Sequence, residues 1–551
     1  RARLNFRLRF AVILVPLLAF ALSVPPVDPP KISIIPRPVS ITAASGDFLL
    51  VRQTVIWTDS ASQALGRQLS DYLRPATGYP FDVKVGSPEG SAIVLRRDSA
   101  LANLGPEGYQ LTVRDNRVTI AAPEAAGIFY GIQSLRQLLP TAIFREALVS
   151  GVAWIAPAVI IEDYPRFAWR GAHLDVCRHF MPKEFVKKYI DLLALEKLNS
   201  FHWHLTEDQG WRIEIKQYPR LTQVGAWRKE TLIGRVTDNP SRWQFDGQRH
   251  GGYYTQEDIR EIVAYAKARF INIVPEIEMP GHSQAAIASY PELGVTGDTL
   301  DVWTVWGVTP NILNVEESTI IFMQNVLTEV MDLFPGPFIH IGGDEAPKKQ
   351  WKASARVQQR IRQLGLRDED ELQSWFVHRM DAFLTAHGRR LIGWDEILEG
   401  GLAPNATVMS WRGISGGITA ARAGHDVVMA PGSHTYLDHY QARDQTAEPL
   451  AIGGFTPIDT VYAFDPMPAH LEPQFRKHIL GAQAQVWTEY IRDPKQVEYM
   501  AFPRLLALSE ALWTPADRKN FPDFMTRLGP ELERLGILDV NYRPLDRPSV
   551  P

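Results

Sequence analysis

The densest chemical signal in the chain is Pro337-Phe338-Ile339-His340-Ile341-Gly342-Gly343-Asp344-Glu345, a short apolar strand running into two glycines and then two adjacent carboxylates. In a regular strand neighbouring side chains point to opposite faces, so Asp344 and Glu345 would not share a site. A glycine pair ends or kinks the strand and can turn both carboxylates toward one cavity. Acids placed in this way suit proton transfer: an ionised Asp344 would raise the pKa of Glu345 and keep it protonated near neutral pH. The competing reading is a helix N-terminus, where Asp and Glu are favoured and Pro347 would fall in the first turn.

The elements around this stretch decide between the two. From Trp169 onward short apolar strands alternate with amphipathic helices. The pattern predicts strands over Arg170–Val176, Phe201–Leu205, Asn272–Ile277, Phe338–Ile341, Arg390–Gly393, Thr407–Ser410, Asp426–Ala430 and Gly481–Val486. Helices are predicted over Lys183–Leu198, Gln256–Phe270, Glu317–Phe334 and Glu371–Ala386. This succession predicts an α/β fold, a (β/α)8 TIM barrel with loop insertions. A doubly wound open sheet is the alternative, but no Gly-rich dinucleotide turn follows any of the strands. In a barrel, chemistry gathers at the C-terminal ends of the strands. Those ends carry Asp175, Arg178 and His179; His202, His204, Glu207 and Asp208; Glu276, Glu278 and His282; and Asp344 and Glu345. The later ends add Trp394, Asp395 and Glu396; Trp411; Tyr436 and Asp438; and Trp487 and Glu489. Polar or aromatic residues close every predicted strand, the distribution expected of an enzyme.

The 551 residues leave room for a second domain. A composition 45% hydrophobic and 22% charged is that of a globular chain, and a net charge of -4 argues against a nucleic-acid partner. The 15 tryptophans suit a site for flat, partly apolar ligands such as sugars, although most must fill cores. Cys177 is the one cysteine, which excludes an intramolecular disulfide and a Cys-based zinc site; it reads as a small core residue.

Residues 1–31 read as an export signal and linker. Arg1, Arg3, Arg7 and Arg9 precede an apolar run from Phe10 to Leu22, Ala21-Leu22-Ser23 resembles a cleavage site, and a Pro-rich segment follows. The expected location is therefore periplasmic or extracellular, with no membrane contact beyond that segment. Residues 32–163 read as a smaller α+β domain with strands at Thr54–Thr58, Ser91–Leu95, Tyr109–Val113 and Arg117–Ala121 and helices at Ser60–Leu73 and Ala125–Leu139. It holds no cluster of acids or histidines and reads as a support. The barrel is expected over 164–515, with a C-terminal extension, 516–551, packed on it.

The strand-end motifs resemble those of family 20 glycoside hydrolases, the β-N-acetylhexosaminidases. The resemblance rests on Trp169-Arg170-Gly171, Leu174-Asp175, Arg178-His179-Phe180 and the run His202 to Arg212. It continues through Pro275 to His282, His340 to Glu345, Gly393-Trp394, Tyr436-Leu437-Asp438 and Trp487-Thr488-Glu489. What it implies is an exo-acting, retaining enzyme without cofactor or metal, acting on glycans that end in β-linked N-acetylhexosamine. Glu345 would be the acid and Asp344 the group that orients the substrate's acetamide, with His282 and Glu207 as a supporting dyad. Arg178, Asp438 and Glu489 would bind hydroxyls of the terminal sugar. Trp394, Trp411 and Trp487 would wall the N-acetyl group, and Tyr436 would donate to its oxygen. Glu207 and Glu278 stand where the family often has Asp, and Ile452 stands near a position often aromatic.

Two other functions compete. His202 and His204 share a strand face and, with Glu276, His282 and Asp344, can be read as ligands of a metal-dependent barrel hydrolase. That reading leaves Glu345, Arg178 and the tryptophans without a role. The other is an inactive glycan-binding barrel, against which the intact Asp344-Glu345 pair argues.

Overall fold

A computed structural model of the chain describes residues 32–545. The predicted export signal and linker, 1–31, lie outside the described residues. Among the described residues no helix is long and apolar enough to cross a membrane.

Eight parallel strands close into a barrel: Trp169–Asp175, Ser200–His204, Asn272–Glu276, Phe338–His340, Arg390–Trp394, Thr407–Ser410, Val427–Met429 and Ile479–Ala484. Each overlaps a strand predicted from the sequence, as do the helices Lys183–Leu195, Gln256–Lys267, Glu317–Leu333 and Glu369–Ala386. Pairing of the last strand with the first, Ala482 beside Arg170, closes the sheet and rules out the open alternative. The interior is packed; Trp169, Val274, Ile392, Met409 and Val428 belong to one buried cluster. Strand register aligns the polar ends. Asp175 lies beside His204, His204 beside Glu276, and Glu276 beside His340.

The smaller domain is a seven-stranded sheet carrying the helices Gln63–Thr77 and Ala125–Leu138. Three of its strands lie beyond those the sequence predicts: Ser40–Leu49, Val83–Val85 and Ile155–Asp163. The helix Ala125–Leu138 is buried on most sides because it is sandwiched between its own sheet and the barrel. Phe129 meets Phe270 at 5.4 Å between ring centroids, and Tyr130 meets Trp513 edge-on at 5.2 Å. The seam also holds buried charge. Lys197 Nζ lies 2.9 Å from Asp163 Oδ2, the Trp513 indole donates to Asp163 Oδ1 at 2.8 Å, and Arg170 pairs with Glu107 at 2.7 Å. The final helix, Phe521–Ile537, reaches both domains: Arg527 pairs with Glu510, and Arg534 donates to the Gln137 carbonyl at 2.7 Å.

Candidate active site

The glycine pair after Phe338–His340 does what its chemistry allows. Gly342 and Gly343 take φ of 68° and 90°, so the chain turns sharply at the strand end. A Cβ on Gly342 would also lie 1.7 Å from a Glu278 carboxylate oxygen. Glu345 and His282, which are not glycines, are themselves held at φ of 45° and 47°. Such backbone costs about 1–3 kcal/mol per residue and persists where packing imposes it, most often at functional sites. The turn brings Asp344 and Glu345 to one cavity of 310 Å³ at the C-terminal end of the barrel. All the other predicted site residues line it too: His282, Glu207, Arg178, Trp394, Trp411, Tyr436, Asp438, Trp487 and Glu489.

A line of charge runs up to the carboxylate pair. His282 Nδ1 lies 2.7 Å from Glu207 Oε1 and 3.3 Å from Asp208 Oδ2, and its Nε2 lies 3.4 Å from Glu345 and 3.8 Å from Asp344. Burial alone would depress the His282 pKa, but Glu207 and Asp344 outweigh it and hold the ring well above its ordinary range, as imidazolium. Glu207 is also gripped by Arg178 at 3.2 Å and His204 at 3.1 Å. Burial would raise it, yet Arg178 and His282 keep it well below the usual carboxylate range.

The proton sits differently from the sequence expectation. Burial, with Glu276 and Glu345 nearby, pushes Asp344 up to about 7 against the pull of His282, and its Oδ1 is buried without a partner. Glu345 is lowered, chiefly by its contact with the His282 ring at 3.4 Å. The order of the two pKa values is therefore the reverse of the sequence expectation, Asp344 raised and Glu345 lowered. The cause is depth: the Asp344 side chain is 13% exposed, whereas Glu345 stands at the mouth with 44% of its side chain in solvent.

The far end of the cavity is lined by Arg178, Asp438 and Glu489. Arg178 is fixed by Gln209 at 3.0 Å and Asp175 at 3.2 Å, leaving its fork 3.8 Å from Glu489. Asp438 is buried with Oδ1 unpartnered; burial and then Glu489 raise its pKa well above the ordinary value. Four aromatic rings form the walls. Tyr436 stacks on Trp411 with centroids 6.2 Å apart, and Trp487 lies 5.8 Å from Trp394 and 6.4 Å from Tyr436. Carboxylates fix the indoles from behind, Trp394 by Glu276 at 2.8 Å and Trp411 by Glu396 at 2.9 Å.

The residues of the metal reading fall into separate groups, His202 and Glu276 with His173, His204 and Glu276 with Glu278, and His282 and Asp344 with Glu345. His202 and His340 lie 3.0 and 2.9 Å from Glu276, and His204 contacts the same carboxylate. Among the described residues, no group of His, Cys, Asp and Glu with ligand atoms within 4.8 Å joins His202 or His204 to His282 and Asp344. His282, Asp344 and Glu345 do form such a group by themselves.

Several residues that the sequence reading placed at strand ends without giving them a role join the site. Asp208 shares the His282 contact, Glu276 is the hub beneath the pocket, and Glu396 positions Trp411. Glu278 is buried with both oxygens unpartnered; burial and then Asp344 hold its pKa well above the ordinary value. His439 and the turn Ile452-Gly453-Gly454 complete the rim. Each of the acids adjoins a recognised strand end, and that adjacency was the available signal.

A family model described as "Glycosyl hydrolase family 20, catalytic domain" matches residues 167–516, and one described as "Glycosyl hydrolase family 20, domain 2" matches 31–164. The chain is 46% identical over 515 residues to a beta-hexosaminidase of Porphyromonas gingivalis, covering 93% of this chain and 64% of that relative's length. It is 33% identical to a beta-N-acetylhexosaminidase of Cellulomonas fimi, covering 92% of this chain and 96% of that one. A solved structure of Streptomyces plicatus N-acetyl-beta-hexosaminidase in complex with Thio-NAglucal superposes with a TM-score of 0.81 at 34% identity, covering 95% of this chain and 98% of that one.

Proposed function

The chain belongs to glycosyl hydrolase family 20, and from that premise we propose that it removes terminal β-linked N-acetylglucosamine or N-acetylgalactosamine from glycans or chitooligosaccharides, one residue at a time and with retention. The observation that carries the reading is a pocket in which both acids stand on adjacent residues beside His282, facing an aromatic box. Retaining glycosidases with a protein nucleophile place two carboxyl groups about 5–5.5 Å apart, flanking the scissile bond. Neighbours in the chain are poorly suited to that. The substrate's own 2-acetamido oxygen is the nucleophile instead.

The acetamide carbonyl oxygen attacks C1 as the glycosidic bond breaks, giving a bicyclic oxazolinium ion. Asp344 accepts the acetamide N–H and stabilises the charge growing at nitrogen. Glu345 gives its proton to the leaving oxygen, then takes one from the incoming water as the ring opens. The Trp394, Trp411 and Trp487 walls hold the acetamido methyl, with Tyr436 donating to its oxygen. Arg178, Asp438 and Glu489 hold hydroxyls of the terminal sugar and close the pocket behind it. Export to the periplasm or beyond belongs to the same reading, supported by the Arg-rich start and apolar run. Cell fractionation tests it.

Rates on aryl β-N-acetylglucosaminide, β-N-acetylgalactosaminide and β-glucoside with one leaving group test the function. The acetamido sugars should turn over and the glucoside should be essentially inert. A long chitooligosaccharide should yield monosaccharide from the first minutes; early internal fragments would contradict exo action.

A further inference from the structure

Away from the active site, the seam between the small domain and the barrel encloses a second cavity, of 490 Å³. The small domain contributes Tyr72, Gln133, Arg136 and Phe144, and the barrel contributes Lys187 and Tyr265 among others. Of its cations, Arg136 and the exposed Arg145 have no carboxylate partner among the described residues. Lys187 is matched to Glu261 at 2.9 Å, and Arg269 to Asp191, whereas no carboxylate among the described residues lies within 4.0 Å of Arg136. Its guanidinium lies over the rings of Tyr72, at 4.0 Å, and Phe144, at 4.4 Å. Its in-plane N–H donors are the groups it can offer a ligand. One of those donors, Nη1, goes to Gln133 Oε1 at 2.9 Å. The Arg136 Nε and the Gln133 Nε2 are buried with no acceptor, and Gln133 as a whole is only 1% exposed. Buried donors without acceptors are unfavourable and call for a partner.

We propose that this cavity binds a small organic oxyanion, the carboxylate of a sugar acid or the phosphate of a sugar phosphate, edge-on against Arg136 with Gln133 supplying a further donor. A planar fork matches a carboxylate or phosphate through paired N–H bonds. The volume exceeds that of an inorganic anion and falls in the range of small-molecule sites. Tyr265 and the aliphatic stem of Lys187 give the body of the ligand a mixed apolar and polar lining. A ligand seated there touches both domains, so it should also raise the melting temperature of the full chain.

Titration calorimetry of the full chain with glucuronic acid, glucose 6-phosphate and, as a neutral control, glucose tests the site. At least one of the two acids should bind saturably, glucose should not, and the acid that binds identifies the source of the oxyanion. Arg136→Gln should weaken that binding by at least about tenfold, the loss expected when a charge-assisted hydrogen bond is removed. Gln133→Glu is the second variant. It supplies the missing acceptor from within, so it should block the ligand and leave the fold intact even where Arg136→Gln does not fold. Hydrolysis of an aryl β-N-acetylglucosaminide should be unchanged in both, which separates this site from the active site. The proposal is overturned if neither acid binds, if glucose binds as well as the acids, or if Gln133→Glu binds like the unaltered protein.

Discussion

At the scale of single residues, the account turns on which carboxylate holds the proton. Asp344, raised to about 7, and Glu345, lowered from its ordinary value, share one proton between their two titrations. The proposed mechanism needs that proton on Glu345 and the charge on Asp344, which makes the singly protonated pair its competent form. The value of kcat/KM should therefore hold below neutrality and fall as pH rises through about 7, where the pair loses its last proton. Asp344→Asn removes the group that titrates there, so the limb near 7 should vanish together with most of the activity on every leaving group. Glu345→Gln should behave differently. General acid work is typically worth about 10²–10⁴-fold, and that loss should appear on poor leaving groups and shrink on activated aryl ones. Equal losses on both kinds of leaving group would take the acid role away from Glu345.

At the scale of elements, the strand-to-loop turn is what makes neighbouring carboxylates usable. Gly342→Ala would place a methyl 1.7 Å from the Glu278 carboxylate at a φ of 68°. The backbone alone should cost about 1–3 kcal/mol, and the displaced turn should cost activity well beyond that loss of stability. Thermal melting and kcat/KM on the same preparation check both. The barrel strands were legible because each is a short apolar run ending in polar or aromatic residues and followed by helical spacing. The small domain was less so. Ser40–Leu49 is largely exposed and bulged between Ala43 and Asp47, so it lacks a clean alternation, and Ile155–Asp163 carries Pro157, which demotes a strand on sequence grounds. The first helix, predicted to end at Leu73, runs through Pro75 to Thr77, with Gly78 in the left-handed conformation that ends it. In the site, residue identities were legible but proton placement was not, because depth in the pocket decides it and depth is a tertiary property.

At the scale of the whole molecule, the small domain is joined to the barrel by polar groups taken out of water. Asp163 accepts from Lys197, Tyr109, Trp513 and the Val39 backbone, so one carboxylate at the end of a small-domain strand organises the seam. Removing one member of a buried ion pair typically costs about 3–5 kcal/mol, since the other charge stays buried. Asp163→Asn should lose stability on that scale in denaturant unfolding while KM on a small aryl substrate stays near that of the unaltered protein. A large KM change with little loss of stability would mean that the seam shapes the pocket directly.

The central claim is that the substrate's acetamide, and not a protein carboxylate, attacks the anomeric carbon. Aryl N-acyl-β-glucosaminides carrying acetyl, monofluoroacetyl, difluoroacetyl and trifluoroacetyl groups test it most directly, because each fluorine weakens the carbonyl oxygen as a nucleophile and alters the sugar little elsewhere. With the acetamide as nucleophile, kcat/KM should fall steeply and continuously along the series. A flat series, with the trifluoroacetyl substrate cleaved as fast as the acetyl one, would contradict it and make Asp344 the nucleophile.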